Sequence, residues 1–175
     1  MARVGARTEF GSPQTLSIAL RKGPWVAVRS PELGNRQVAW ARADTLRLLK
    51  RTRRIEVDLS ERTLTVIERG NDVIHRESVA VGSPDTPTPA GRFYVTDKLR
   101  GPDFGPFYGC CILALSGRQP NLPEGWSGGD RLAIHGTSSP DYGRATTNGC
   151  LHLPEATLRA LMRDVPLGTP VDVRA

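Results

Sequence analysis

Apolar residues along the first third of the chain come in short patches separated by turn residues. The patches lie at residues 16–19, 25–28 and 38–40, with Lys-Gly-Pro and Gly-Asn turns between them. Short apolar runs bounded by such turns are typical of β-strands. We therefore expect a small antiparallel β unit and a basic linker within residues 15–54. A flexible lead-in is expected at residues 1–14, where no period is visible.

From residue 55 onward, apolar and polar positions alternate as they do in half-buried strands. Ile55, Val57 and Leu59 alternate with acidic residues, and Leu64 and Val66 follow after a turn, which predicts a β-hairpin. Further strands are predicted at residues 73–81, 93–96, 111–115 and 132–135, with a last strand through Val171 and Val173.

One stretch near the end of the chain has a helical period. Pro154 suits a first helical position, and the helix is expected to end before Pro166. Its apolar face is formed by Leu158, Leu161, Met162 and Val165. The 18 Gly and 14 Pro fit many turns between short strands. The sequence thus predicts a mainly β fold with one C-terminal helix, in which residues 55–175 form the larger domain.

Charge divides the chain at the same place. The net charge is +6, but residues 1–54 carry 12 Lys and Arg against 3 Asp and Glu, whereas residues 55–175 carry 12 against 15. The basic part is either a solvated face or a surface for an anionic polymer. Because it lacks interleaved aromatic residues and any nucleic-acid fingerprint, we do not expect nucleic acid as a partner.

Neither a membrane span nor an export signal is expected in the chain. No run of about 18 apolar residues is present, and the first residues lack the apolar stretch of a secretory signal. Export would then need a signal upstream of this sequence. The three cysteines include the neighbours Cys110 and Cys111, and adjacent cysteines rarely pair. We expect buried thiols there, and no disulfide scaffold.

The candidate chemistry is a cysteine and a histidine at the two ends of one loop. His135 ends an apolar strand, and Cys150 follows a glycine 15 positions later. A thiol acts as a nucleophile in its thiolate form, and a nearby imidazole lowers its pKa from about 8.5 to roughly 3.5–7.5. On spacing alone, the two residues are either such a pair or separately satisfied core residues.

Three segments, in order, resemble one known family. The stretches His135-Gly136-Thr137 and Thr147-Asn148-Gly149-Cys150-Leu151-His152 match the signature of the YkuD-type L,D-transpeptidases. The segments "IEVDLSERTLTVIERG" and "VAVGSPDTPTPAGRFYVTDKL" resemble the opening hairpin and a Thr-Pro-Thr-Pro segment of that family. The resemblance implies a YkuD-like β-sandwich over residues 55–175. Residues 15–54 resemble, more distantly, a remnant of a bacterial SH3-like module.

The resemblance also implies a mechanism that acts on peptidoglycan stem peptides. Cys150 is the nucleophile, and His135 is its base, oriented by the backbone carbonyl of Gly136. The thiolate attacks the third residue of a tetrapeptide stem and releases D-Ala. The oxyanion is held by amides around Asn148, Gly149 and Cys150. The thioester then passes to an amine of a neighbouring stem, which makes a cross-link, or to water, which makes the protein a carboxypeptidase.

Further family properties complete this expectation. Thr137, Thr147 and Tyr108 are expected near the substrate, no cofactor is implied, and carbapenems would acylate the thiol. A monomer located in the cell envelope is expected. Two positions depart from the common pattern, because Asn148 stands where histidine is frequent and His152 stands where arginine is usual. His152 lacks the planar fork of arginine for a substrate carboxylate. A wall-binding module without activity is therefore an alternative.

A zinc site is the rival chemistry. His135, Cys150 and His152 offer three ligands, and His75 or Cys111 would have to supply a fourth. Structural zinc sites usually use two pairs of ligands separated by two to four residues, and no matching second pair is present. We therefore predict no metal.

Overall fold

The small N-terminal unit is a three-stranded antiparallel sheet. The structure is a computed structural model and describes residues 4–175. Strands β1 (Ser17–Lys22), β2 (Trp25–Arg29) and β3 (Ala39–Arg42) lie in that order across the sheet. Each strand coincides with one apolar patch, as the sequence predicts.

The larger domain is built on one eight-stranded sheet. Its elements in chain order are β4 (Arg54–Asp58), β5 (Thr63–Ile67), β6 (Val73–Ser78), β7 (Val81–Gly82), β8 (Gly91–Arg100), β9 (Cys111–Arg118), β10 (Arg131–His135), β11 (Ala145–Thr147), β12 (Leu151–His152), α1 (Glu155–Asp164) and β13 (Pro170–Arg174). The strand order is β12-β10-β9-β8-β13-β4-β5-β6, while β7 and β11 form a separate two-stranded pair. The fold is mainly β with one helix, as predicted, and its large sheet is curled.

One apolar core lies inside the curled sheet. The alternation seen in the sequence places Ile55, Val57, Leu64 and Val66 inward, each at most 1% exposed. Helix α1 contributes Leu158 and Leu161 to the same core. Pro154 has extended backbone angles and precedes the helix, instead of occupying its first turn. The missing proline amide costs nothing there, because no intrahelical bond is needed.

Strand boundaries differ from the predicted ones where the chain leaves the sheet. The strand expected at residues 73–81 ends at Ser78, because Ala80 exchanges two backbone hydrogen bonds with His152. Strands β11 and β12 were not predicted. With three and two residues, they are too short to show an alternation. Both lie in the segment that carries Cys150.

Residues 4–14 are docked on the larger domain, which contradicts the expected flexible lead-in; residues 1–3 lie outside the described part. Arg7 and Pro13 form a β-bridge, and the hydroxyl of Thr8 donates to the buried carboxylate of Asp97 at 2.5 Å. The ring of Phe10 packs edge-on against Phe104, 5.9 Å between centroids. Thr8 and Asp97 are 89 positions apart in the sequence, and a contact at such a separation leaves no periodic pattern.

The basic run before β4 is also anchored. Arg51 donates to the carbonyl of Leu167 at 2.8 Å, and Arg53 pairs with Glu68 at 3.1 Å. The side chain of Asn35 in the small unit exchanges two hydrogen bonds with the backbone of Arg118, at 2.7 and 2.8 Å. The two β units are therefore joined by directional contacts.

Cys110 and Cys111 are joined by a disulfide, so the expectation of a buried free thiol here was wrong. In a regular strand the two side chains would point to opposite faces. Cys111 begins β9, but Cys110 lies in the preceding turn, after Gly109 with a φ of 59°. The turn removes the alternation that would separate the sulfurs. Cys150 is the free cysteine in the described part of the chain.

Candidate active site

The candidate nucleophile and base lie at the ends of one loop between two neighbouring parallel strands. His135 ends β10, and its register partner on β12 is His152. Cys150 directly precedes β12, two residues before His152. The parallel alignment of β10 and β12 therefore places the two ends of this loop at adjacent strands.

His135 is held by its own backbone and by an aromatic wall. Its Nδ1 lies 2.5 Å from the carbonyl oxygen of Gly136, so Nδ1–H is the donor and Nε2 is left to accept a proton. The ring of Tyr108 lies edge-on, 4.9 Å from the imidazole centroid. Burial, with a smaller contribution from His152, lowers the pKa of His135 to about 4. The imidazole is therefore neutral at physiological pH.

Cys150 is half-buried and neutral. Its Sγ lies 3.9 Å from the carbonyl oxygen of Arg131, the thiol's hydrogen-bond partner in the structure. Burial raises the pKa of Cys150 to about 11. The sequence led us to expect a lowered thiol pKa, and that expectation was wrong for the ligand-free site, because burial outweighs any stabilisation of the thiolate. The resting site therefore holds a neutral thiol, bonded to a backbone carbonyl, and a neutral imidazole.

The loop before Cys150 is fixed by Thr147. The Thr147 hydroxyl accepts the amide of Gly149 at 3.0 Å and donates to the carbonyl of Cys150 at 2.6 Å. The Gly149 amide, one of three expected oxyanion donors, is therefore already occupied. Within residues 4–175, the amides of Asn148 and Cys150 donate to no protein acceptor. These two remain as candidate oxyanion donors.

Three residues that were not predicted as site residues hold this loop through hydrogen bonds to its carbonyl groups. Thr86 donates to the carbonyl of Thr147 at 3.0 Å, and Thr88 donates to the carbonyl of Gly149 at 2.9 Å. The side-chain amide of Gln119 donates to the carbonyls of Thr86, Pro87 and Asn148 at 3.0–3.2 Å. The Thr-Pro-Thr-Pro segment was a visible signal for the two threonines. No sequence pattern indicates Gln119, because it directly follows β9 and belongs to no recognised motif.

Gly149 is required by this packing. Its φ is 108°, and a Cβ at this position would lie 2.0 Å from Nε2 of Gln119. Both observations exclude larger residues without a shift of the loop. The Gly-Cys pair in the sequence therefore reflects the close approach of Gln119.

The other predicted site residues lie at different distances from the chemistry. Thr137 closes a local turn, in which its hydroxyl bonds the amide and the carbonyl of Ser139 at 3.1 Å. Asn148 is exposed and borders a cleft of about 340 Å³. The cleft is lined by Ser83, Asp85, Thr86, Asn121, Leu122, Pro123 and Asn148. Tyr108 thus lies against His135, Asn148 lines a cleft two residues before Cys150, and the Thr137 hydroxyl bonds within its own loop.

His152 contacts both the base and a carboxylate. Its ring centroid lies 4.6 Å from that of His135, and its Nδ1 lies 2.9 Å from Oδ1 of Asp141. Asp141 lies in the loop between the two reactive residues and was not singled out by the sequence.

The residues considered for zinc are not assembled. Cys111 is in a disulfide, and His75 lies on β6, the strand at the opposite edge of the sheet from β12. Within residues 4–175, no group of three or more His, Cys, Asp or Glu side chains is arranged to hold a metal. The same residues include no helix long and apolar enough to cross a membrane.

Comparison with known proteins identifies a family for most of the chain. The model of the YkuD family, described as the L,D-transpeptidase catalytic domain, matches residues 52–173. YkuD of Bacillus subtilis, which carries the name of an L,D-transpeptidase, is 33% identical over 120 residues, or 68% of this chain. The chain spans 64% of that relative's length.

Solved structures agree with this match. An L,D-transpeptidase of Enterococcus faecium gives a TM-score of 0.55 at 25% identity, covering 79% of this chain and 56% of that one. A protein named Ldtfm, solved as its carbamoyl enzyme with avibactam, gives a TM-score of 0.52 at 25% identity, covering 72% of this chain and 50% of that one. Because the family model matches more than half of its residues, the chain belongs to the L,D-transpeptidase catalytic domain family.

Proposed function

We propose that the protein is a peptidoglycan L,D-transpeptidase that works through a Cys150 thioester in the cell envelope. The observation that carries the proposal is the position of His135, at the end of a strand that pairs with β12 directly after Cys150, with its Nδ1 held 2.5 Å from the Gly136 carbonyl. This contact fixes the tautomer in which Nε2 accepts a proton. A nucleophile, an adjacent base and an orienting group are the parts that acyl transfer needs.

Proton transfer in this site accompanies attack on the substrate. With the pKa of Cys150 raised to about 11 and that of His135 lowered to about 4, the thiolate–imidazolium pair is a minor form before substrate binds. In the proposed first step, Sγ bonds to the carbonyl carbon of the third stem residue while its proton moves to Nε2 of His135. That proton then passes to the nitrogen of the departing D-Ala, which leaves the thioester on Cys150.

The oxyanion formed in this step is stabilised by backbone amides. The amides of Asn148 and Cys150 have no protein acceptor in the described chain, and the carbonyls around them are held in place by Thr86, Thr88 and Gln119. Donors fixed before the reaction stabilise the developing charge without reorganising, and one such donor is worth about 100 to 1000-fold in rate.

The cleft lined by Asn148, two residues before Cys150, and the ring of Tyr108 against His135 are the surfaces proposed to bind an extended peptide. In the proposed second step an amine of a neighbouring stem takes the acyl group. A β-lactam of the carbapenem class would stop at the first step as a stable adduct on the same sulfur. Stem peptides and carbapenems are thus the proposed binding partners, and the working form is proposed to be a monomer.

The test is turnover of a disaccharide tetrapeptide, with D-Ala release and dimer formation followed by mass spectrometry. Wild type should release D-Ala and form dimer. Cys150→Ala should abolish both products, and His135→Gln should slow release by about 100-fold or more, as expected for loss of a general base. His75→Gln, on the far edge of the sheet, is the matched control and should keep full activity. D-Ala release undiminished in Cys150→Ala would refute the proposal, and tripeptide without dimer would assign hydrolysis in place of cross-linking.

A further inference from the structure

His152 and Asp141 form a partly buried pair that the first step does not use. Nδ1 of His152 lies 2.9 and 3.2 Å from the two carboxylate oxygens of Asp141. The side chains are 16% and 19% exposed. The hydroxyl of Thr146 donates to Oδ2 of Asp141 at 2.6 Å, which fixes the carboxylate from its other side. Burying such a pair costs desolvation free energy and side-chain conformational entropy, so its presence does not imply a net gain in stability.

The pair fixes which nitrogen of His152 meets the substrate. Because a carboxylate only accepts hydrogen bonds, Nδ1 of His152 is the protonated donor toward Asp141. Nε2 has no hydrogen-bond partner within residues 4–175 and is the atom able to take up a proton. His152 is two residues along the chain from Cys150, and its ring centroid lies 4.6 Å from that of His135. The free nitrogen is therefore on an imidazole that contacts the candidate base and is close in sequence to the sulfur that would carry the acyl group.

The same pairing argues against a substrate-carboxylate contact at His152. The negative charge of Asp141 offsets any positive charge on the imidazole and repels a second carboxylate. An arginine would keep its charge and its planar fork for such an anion, whereas His152 has one nitrogen already occupied. A substrate-carboxylate contact at His152, which the sequence already disfavours, therefore does not fit its surroundings.

The second step of the proposed reaction needs a base close to the carbonyl of the thioester. An attacking amine must lose a proton as its nitrogen bonds to the thioester carbonyl. In the first step His135 acts on the thiol and on the departing D-Ala, and its side chain is buried. The side chain of His152 is 16% exposed and its Nδ1 is bound by a carboxylate, which orients an imidazole for proton transfer.

We propose that His152 is the base for the acceptor amine, and that Asp141 is its positioning residue; the inference rests on the proposed function. As the nitrogen–carbon bond forms and the carbon–sulfur bond breaks, a proton moves from the amine to Nε2 of His152. The sulfur leaves as thiolate and takes the proton back from His152. His135 serves acylation and His152 serves transfer to the amine, so the two half-reactions use different bases.

The test separates the two half-reactions. Acylation by the tetrapeptide is measured without acceptor by rapid quench and intact mass, and acyl-enzyme loss is then timed after addition of an amine acceptor. His152→Gln should change acylation by less than about 3-fold and slow aminolysis on the order of 100-fold. Asp141→Asn should slow aminolysis by about 10-fold or more with acylation kept, because an amide no longer stabilises the imidazolium.

Matched controls are His75→Gln on β6 and Asp103→Asn, an exposed residue; both should behave as wild type. Equal slowing of both half-reactions in His152→Gln would overturn the inference in favour of a structural role or an effect on His135. Unchanged aminolysis would overturn it as well. If wild type itself forms no acyl-enzyme, the proposed function fails and the inference falls with it. An acyl-enzyme that accumulates in the variants shows that they are folded.

Discussion

Two residues of the candidate site have pKa values that are shifted in opposite directions. Burial raises the pKa of Cys150 to about 11 and lowers that of His135 to about 4. Both groups are therefore uncharged across the physiological range. In the absence of substrate, the reactivity of the thiol then depends on the small fraction present as thiolate. In catalysis, the thiol proton must move to His135 as the sulfur attacks the substrate.

Alkylation of Cys150 by iodoacetamide should reflect this directly. Below its pKa, a thiol loses tenfold in thiolate for each pH unit, so the rate should rise about tenfold per unit from about pH 6 to about pH 10 without a plateau. The modified peptide is identified by mass, and Cys110 and Cys111 are protected by their disulfide. A rate that is level between about pH 6 and about pH 8 would show a preformed thiolate and contradict the account.

The sequence identifies the candidate reactive residues but not the side chains that hold them. His135, Gly136 and Cys150 belong to two short motifs of consecutive residues, one at the end of β10 and one directly before β12. Gln119 and Asp141 are not found in this way. Each acts through one side chain on a loop, and a loop contact gives no periodic signal.

At the scale of elements, periodicity predicted the hairpin of β4 and β5 and the apolar face of α1. Both elements bury an alternating or helical set of residues in one core, so the pattern and the structure share one cause. The docked segment of residues 4–14 was missed. It is held by the hydrogen bond from the Thr8 hydroxyl to Asp97 and by the packing of the Phe10 ring on Phe104. Neither contact produces an alternating pattern in the sequence.

The Thr8 contact carries a stability prediction. Asp97 is fully buried, and its Oδ2 has no hydrogen-bond partner in the described chain, so Thr8 provides the bond to its other oxygen. Thr8→Val keeps the shape and removes the hydroxyl, which should lower the free energy of unfolding by about 1–3 kcal/mol in urea unfolding. Thr45→Val is the control, because Thr45 is exposed. Equal stability of the Thr8 and Thr45 variants would show that the segment is not docked through this bond.

Docking of this segment also reaches the active site. Phe10 contacts Phe104, Phe104 lies 6.5 Å from Tyr108, and Tyr108 lies against His135. The row of rings connects the N-terminal segment to the wall beside the base. Residues 4–14 are therefore connected, through Phe10, to the ring that lies against the candidate base.

At the scale of the whole molecule, the family and the mainly β architecture follow from sequence because three separate motifs fall in order on one sheet. The joining of the two β units does not follow from sequence. It depends on the exchange of hydrogen bonds between Asn35 and the backbone of Arg118, and on Arg51 reaching the carbonyl of Leu167. Such contacts become visible only after both units are folded.

The central claim is that Cys150 is the nucleophile that carries the acyl group. The most direct measurement is the intact mass of the protein after incubation with a carbapenem, followed by peptide mapping. We expect one adduct per chain, located on Cys150, and none on Cys150→Ala. An unmodified wild-type protein, or an equal adduct on Cys150→Ala, would contradict the account.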